Sequence, residues 1–476
     1  MSEHPQRSVA ERRAHGKAAR EKAAPSVHAG WVPAVDRPDP VALLEEQDAT
    51  REVDLVPVRH GRMLVSPFTF YRGAAKIMAS DLKDTPTAGL IVQLCGDAHL
   101  SNFGAFASPE RTLLFDLNDL DETLPGPFEY DVKRLSASLT IAARNNGFSR
   151  SDARAATVAS VTAYRDAMAE FAEMHTLDVW YARLSEQELM GAIKDLRRDM
   201  ERGGKQADVK AAEKAAQKQA RKAHTRDSLQ ALSKLAERAG GRYRIVSLPP
   251  IVVPLRDLAP SVGLSVDELE AAMRDRFHAY RESLPDERRQ LLDRFELVDM
   301  ARKVVGVGSV GTRAFIGLLQ GRDEDDPLFL QVKEASASVL EDHLPKSRYR
   351  QPGERVVQGQ RLMQAASDIF LGWTEGAEAN RYLYWRQLRD MKGSAEIEAM
   401  IPAALTFYGQ ICGRTLARAH ARSGDPIALA SYLGKKDRFD ESITDFADRY
   451  ADQNEQDYQA FASAVRSGRL EAVEGV

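Results

Sequence analysis

The stretch "VVGVGSVGTRAFIGLLQGRDEDDPLFLQVKEA", residues 304–335, decides the fold. It sets Gly306, Gly308 and Gly311 among apolar residues, then runs into two apolar segments separated by an acidic turn. A dinucleotide-binding G-x-G-x-x-G opens a helix and precedes an acid about twenty residues on. Here "TRAFIGLL" continues with the pattern of a strand, which excludes that fold. What remains is a Gly-rich turn joining two strands. Glycines in such a turn let backbone N–H groups approach a polyphosphate without a Cβ in the way. Lys333, on the strand "PLFLQVKEA", is then placed to reach those phosphates.

Working outward, "DIFLGW" and "RYLYWRQLRDMKG" extend the strand-rich block, and "PGERVVQGQRLMQAAS" reads as one helix set inside it. This predicts a small antiparallel sheet over 301–400. Upstream, "YDVKRLSASLTIAARNNG" (130–147) and residues 150–174 carry apolar residues at helical spacing. After Pro402, "AALTFYGQICGRTLARAHARSGD" is a further helix, and an acidic one closes the chain. The class is therefore α+β: a mobile leader over 1–50, a mostly helical part over 51–300, the sheet, and helices over 401–476 that complete the helical part. Residues 194–240 are dense in Lys, Arg, Ala and Glu. Interspersed acids and absent aromatics make them a solvated helical hairpin rather than a phosphate-binding run.

Composition narrows the function. The 476 residues are 43% hydrophobic and 29% charged with a formal net charge of −4, so nothing pulls the chain globally towards nucleic acid. No apolar run approaches bilayer length, and the Arg-rich N-terminus lacks the apolar segment of a signal peptide. The expected setting is cytoplasmic. Cys95 and Cys412 are the only cysteines, too few for a disulfide framework or a Cys-based zinc site. No Gly-x-Ser-x-Gly elbow supports a Ser-His-Asp hydrolase.

A second chemical cluster lies at "LIVQLCGDAHLSNFGAF" (90–106) and "LLFDLNDLDE" (113–122). Asp97 and Asn102 share a loop between strands, and Asp116 ends the next strand. A carboxylate, an amide oxygen and a second carboxylate suit magnesium, which keeps several waters and asks for few protein ligands. One carboxylate could instead take a proton from an attacking hydroxyl. Arg72, between aromatics in "SPFTFYRGAA", is a candidate for binding an anion or for bracing an acid of this loop.

The string "CGDAHLSNFGAF…LLFDLNDLDE…GPFEYDVKRL" resembles the catalytic core of kinase-like small-molecule phosphotransferases, the aminoglycoside and choline kinase group. That resemblance implies a two-lobed protein-kinase-like fold, ATP and Mg2+ as cofactors, and a small-molecule acceptor. It makes Asp97 the general base, Asn102 and Asp116 the magnesium ligands, Asp131 the acid that braces the loop, and His99 a supporting histidine. Cys95 departs from it, standing where the group has its first histidine. Gly306, Gly308, Gly311 and Lys333 would hold the nucleotide, with Glu354 or Glu341 pairing with Lys333. The motif order is reversed, since the loop precedes the hairpin. A circular permutation accounts for this, and "LTFYGQICGRTLARAHARSGD" supports it by resembling the helix that leads into the catalytic loop. Over nearly all of its length the chain resembles the bacterial domain of unknown function 2252 family. The alternatives are a nucleotide-binding pseudokinase, an AMP-transferring enzyme, and a non-catalytic protein in which 97–122 binds a cation for structure.

Overall fold

Ser8 and Glu11 form a capping box at the start of α1 (Val9–Lys22), whose small face contains Gly16 and Ala19. The computed structural model describes residues 7–202, 221–225, 228–239, 242–388 and 390–475. α1 and α2 (Pro40–Asp48) place packed helices within the segment expected to be a mobile leader, whose residues 1–6 lie outside the described residues. Arg12 pairs with Asp425, and Arg20 donates to the Tyr432 carbonyl. A Cβ on Gly16 would sit 2.0 Å from the Ala428 carbonyl oxygen, so the helix docks by close backbone approach. A contact face built from Gly and Ala carries little hydrophobic signal in an Arg-rich segment.

α3 (Val56–Leu64), α4 (Pro67–Gly73) and α5 (Ala75–Leu82) lead into β1 (Ile91–Leu94), β2 (Phe103–Ala107), β3 (Leu113–Leu117) and β4 (Leu124–Pro127). β1 pairs antiparallel with β4, and β2 with β3. α6 (Glu129–Asn145), α7 (Arg150–Glu173), α8 (Thr176–Tyr181), β5 (Leu184–Ser185) and α9 (Glu186–Arg202) follow. Part of the helical hairpin expected over 194–240 lies outside the described residues. Beyond α10 (Ser228–Leu235), however, β6 (Ala236–Ala239) and β7 (Arg242–Ile245) pair as strands.

β8 (Val252–Pro254), α11 (Leu255–Leu258), α12 (Val266–Arg281) and α13 (Asp286–Leu292) precede the main sheet. Its strands are β9 (Glu296–Lys303), β10 (Ala314–Gln320), β11 (Pro327–Glu334), β12 (Gly372–Glu375) and β13 (Tyr382–Gln387), with α14 (Pro352–Met363) between β11 and β12. With β8 the order is β12-β13-β11-β10-β9-β8, antiparallel throughout. Strand alternation assigns the faces. Leu328, Leu330, Val332, Leu383 and Trp385 pack with Phe277 and Tyr280 of α12. Lys333 opposite Tyr384 and Gln331 opposite Arg386 occupy the alternate positions. The largest apolar cluster joins α6 and α7 to α15 (Pro402–Ser423), α16 (Pro426–Leu433) and α17 (Arg438–Arg466).

Candidate active site

The loop after β1 turns at Gly96, which has φ +84, and a Cβ there would lie 2.2 Å from the Glu122 carbonyl oxygen. Only glycine fits that approach. Asp131, on the first turn of α6, braces the loop by accepting from the backbone N–H groups of Cys95 (2.6 Å) and Gly96 (3.0 Å). His420 Nε2 lies 3.1 Å from the same carboxylate, and its other nitrogen lies 2.9 Å from the Tyr164 hydroxyl. The buried Cys95 thiol donates to the Asp119 carbonyl at 3.4 Å, tying the loop to the acidic segment after β3.

Asp97 Oδ1 accepts from Arg134 Nε (2.8 Å) and Nη2 (2.7 Å). Arg134 lies 3.8 Å over the Tyr71 ring and donates to the Tyr71 carbonyl. Burial works against its charge, and Asp97 outweighs burial and raises its pKa. Asp97 Oδ2 accepts no hydrogen bond among the described residues; its neighbour is His99 Nε2 at 3.7 Å. His99 Nδ1 accepts from the Ser101 N–H, so the neutral ring carries its proton on Nε2. Burial, reinforced by Arg72 and Arg134, pushes the pKa of His99 down to about 4. Asn102 Nδ2 donates to the Asp97 carbonyl at 2.7 Å, which leaves the amide oxygen without a hydrogen bond among the described residues.

Asp116 does not reach this site, which corrects its assignment as a magnesium ligand. It is fully buried within β3. Oδ1 accepts from the Leu117 N–H (2.8 Å) and Arg418 Nη2 (2.5 Å), and Oδ2 from the Ala365 N–H (2.7 Å). The acids that meet the sheet are Asp119 and Asp121. Lys333 Nζ lies 3.2 Å from Asp119 Oδ2 and contacts Asp121 Oδ2, while the Tyr384 hydroxyl donates to Asp121 Oδ1 at 2.5 Å. Neither Glu354 nor Glu341 pairs with Lys333. Glu341 accepts from the backbone N–H groups of Ser338 and Ser347. Glu354 sits on the first turn of α14, where its neighbour Arg355 is the inward residue and donates to the carbonyls of Asp121, Thr123 and Ser336.

The two carboxylates are met by the Lys333 ammonium and, through its field, by the Arg386 guanidinium. Burial would raise Asp119, but Lys333 and Arg386 hold it below the ordinary range. Burial and the charge of Asp119 raise Asp121. Arg386 donates to Gln331 Oε1 (3.1 Å) and to the Asn118 carbonyl (2.9 Å). Burial, then Arg386, lowers Lys392 to about 7. Among the described residues, no group of three or more His, Cys, Asp or Glu side chains is arranged to hold a metal ion.

Gly306, Gly308 and Gly311 lie in the β9–β10 connection, which is packed rather than free. Arg62 donates to the Gly306 carbonyl (2.6 Å), the Glu52 N–H to the Gly311 carbonyl (2.7 Å), and Arg51 to the Val310 carbonyl. A Cβ on Gly308 would lie 2.8 Å from the Arg72 carbonyl oxygen. The turn therefore meets α4 at Arg72, whose Nε is buried without a hydrogen-bond partner. Burial lowers the pKa of Arg72 against the pull of Glu398 and Asp97. Sequence reasoning missed Asp119, Asp121, Arg134, Tyr384 and Arg386. The acids were visible in "DLNDLDE", and Arg386 follows from strand register.

The chain is thus an α+β protein with antiparallel sheets, in which a strand lysine from the Gly-rich region meets the acids that follow an Asp/Asn loop. It belongs to the family described as uncharacterized protein conserved in bacteria (DUF2252), whose profile matches residues 51–464. No curated protein and no solved structure matches it. Among the described residues, no helix is long and apolar enough to cross a membrane.

Proposed function

We propose that the protein is an ATP- and magnesium-dependent phosphotransferase of circularly permuted kinase-like fold, acting on a small-molecule acceptor. The observation that carries this is the contact of Lys333 with Asp119 and Asp121, which unites two clusters far apart in sequence. The donor set suits magnesium: Asn102 Oδ1 is unclaimed, and Asp119 and Asp121 bring two carboxylates together near it in sequence. Asn102 and Asp119, with Asp121, would hold the ion. When bound, it neutralises charge on phosphate oxygens.

The chain's own residues divide the remaining work. Asp97 Oδ2 orients the acceptor hydroxyl and takes its proton, while Arg134 fixes the carboxylate through Oδ1. Lys333 turns from its acids to the phosphates, and Arg72, beneath the Gly-rich turn, adds a second cation.

Calorimetric titration of ATP with magnesium, followed by an ADP-release assay, tests this. Wild-type protein should bind only with magnesium. Asp119→Asn should weaken binding at least about tenfold. Asp97→Asn should retain binding and lose about 10²-fold or more in turnover. Binding without turnover in wild type would favour the pseudokinase, and no nucleotide binding at all would overturn the proposal.

A further inference from the structure

A recess of about 430 Å³ lies between the end of α7, α8, β5 and the middle of α15, on elements that the proposed chemistry does not use. Its apolar wall includes Phe171, Met174, Ala182 and Leu184, and α15 contributes Thr415 and Arg418. Thr415 is 4% exposed and Arg418 5%. Thr415 Oγ1 and Arg418 Nη1 are both buried with no hydrogen-bond partner. A buried donor left unsatisfied is costly. Two of them one helical turn apart, beside the same recess, call for an oxygen acceptor.

Charge limits the acceptor. Arg183, Arg414 and Arg418 line the recess with Glu170, Asp178 and Glu188, and Arg418 also pairs with Asp116, so there is no surplus of cations. Arg414 already forks onto Glu170, and Glu188 accepts from Ser185. A doubly charged phosphate has no surplus of cations to meet it, whereas a single carboxylate needs only the donors left over. Arg418 can serve two anions at once, because Nη2 holds Asp116 while Nη1 remains unused. We propose that this recess binds a small monocarboxylate with a hydrocarbon body, its oxygens taken by Arg418 and Thr415.

Titration of the full chain with hexanoate, hexanamide and inorganic phosphate tests this without any nucleotide, so its outcome is independent of the kinase proposal. Hexanoate should bind, and the amide and phosphate should bind at least tenfold more weakly. Arg418→Met would also strip Asp116 of its ion pair, so the informative variants lie elsewhere. Thr415→Val keeps the volume and should weaken hexanoate about tenfold, and Ala182→Phe should fill the recess and abolish binding. Thermal melts close to wild type establish that both variants fold. No hexanoate binding, binding unchanged in both variants, or phosphate binding as tightly as hexanoate would each overturn the proposal.

Discussion

His28 is 1% exposed, with Nε2 2.9 Å from the Tyr432 hydroxyl and Nδ1 unpartnered. Burial, then the charge of Lys133, lowers its pKa from 6.5 to about 3. Between those values the unfolded chain binds a proton that the folded chain refuses. The stability due to neutral His28 is full above pH 6.5 and is lost as pH falls, by about 1.4 kcal/mol per pH unit. His28→Gln keeps a hydrogen-bonding group near Tyr432 and removes the titration. Urea midpoints for this variant should therefore fall less steeply than wild type between pH 6 and pH 4. Identical slopes would show that His28 titrates freely. At this scale Asp97, Asn102 and Lys333 could be singled out from residue type and spacing, and Asp131 only through the family resemblance. Asp116 could not be told from Asp119, because "FDLND" offers both and only strand register turns Asp116 towards Arg418. Glu354 fails for a similar reason. One residue is about 100° of helix, and that rotation brings Arg355 inward instead.

The β9–β10 hairpin shows what periodicity conveys about an element and what it omits. The apolar runs at 314–320 and 327–334 are strands, as their pattern predicts, and the helix near 353–366 is α14. β4, a Leu-Pro-Gly-Pro run, and the three-residue β8 do not stand out, and the helix-like composition of 236–245 conceals the β6–β7 pair. Nor does the pattern reveal that the turn is docked on α4. Gly308 is where that docking is tightest. A methyl there meets the Arg72 backbone carbonyl at 2.8 Å, so the turn must lift and strain its bonds from Arg62 and Glu52. Gly308→Ala should cost about 1–3 kcal/mol and speed amide exchange across 304–313. Gly306→Ala places its methyl no closer than 3.8 Å to any atom and pays only for its φ of +69, about 1 kcal/mol, with little change in exchange. Equal exchange in the two variants would argue against a docked turn.

Across the whole molecule, the contacts between the helices and the main sheet could not be read from the sequence. They depend on backbone groups, such as the Asn118 carbonyl that receives Arg386 and the Asp121 carbonyl that receives Arg355. Residues 390–393 also pair with β2 through Ala107, Ala105 and Gly393. Among these ties Lys333 contacts the acids directly through its side chain. Its side chain is 3% exposed, and Lys333→Met would strand Asp119 and Asp121 together under Tyr384. Removing one partner of a buried ion pair costs about 3–5 kcal/mol. The sign of the pH dependence follows from Asp121, which burial and Asp119 already raise and which loses its nearest cation in the variant. A folded-state pKa above the unfolded value means that the folded form holds the extra proton, so stability falls as pH rises through that window. Thermal melts of Lys333→Met should therefore show a larger loss at pH 8 than at pH 5. The sheet should also melt ahead of the helical core at pH 8, where wild type should unfold in one step. An equal loss at both pH values, with one transition retained, would mean that the two parts are held together without this charge contact.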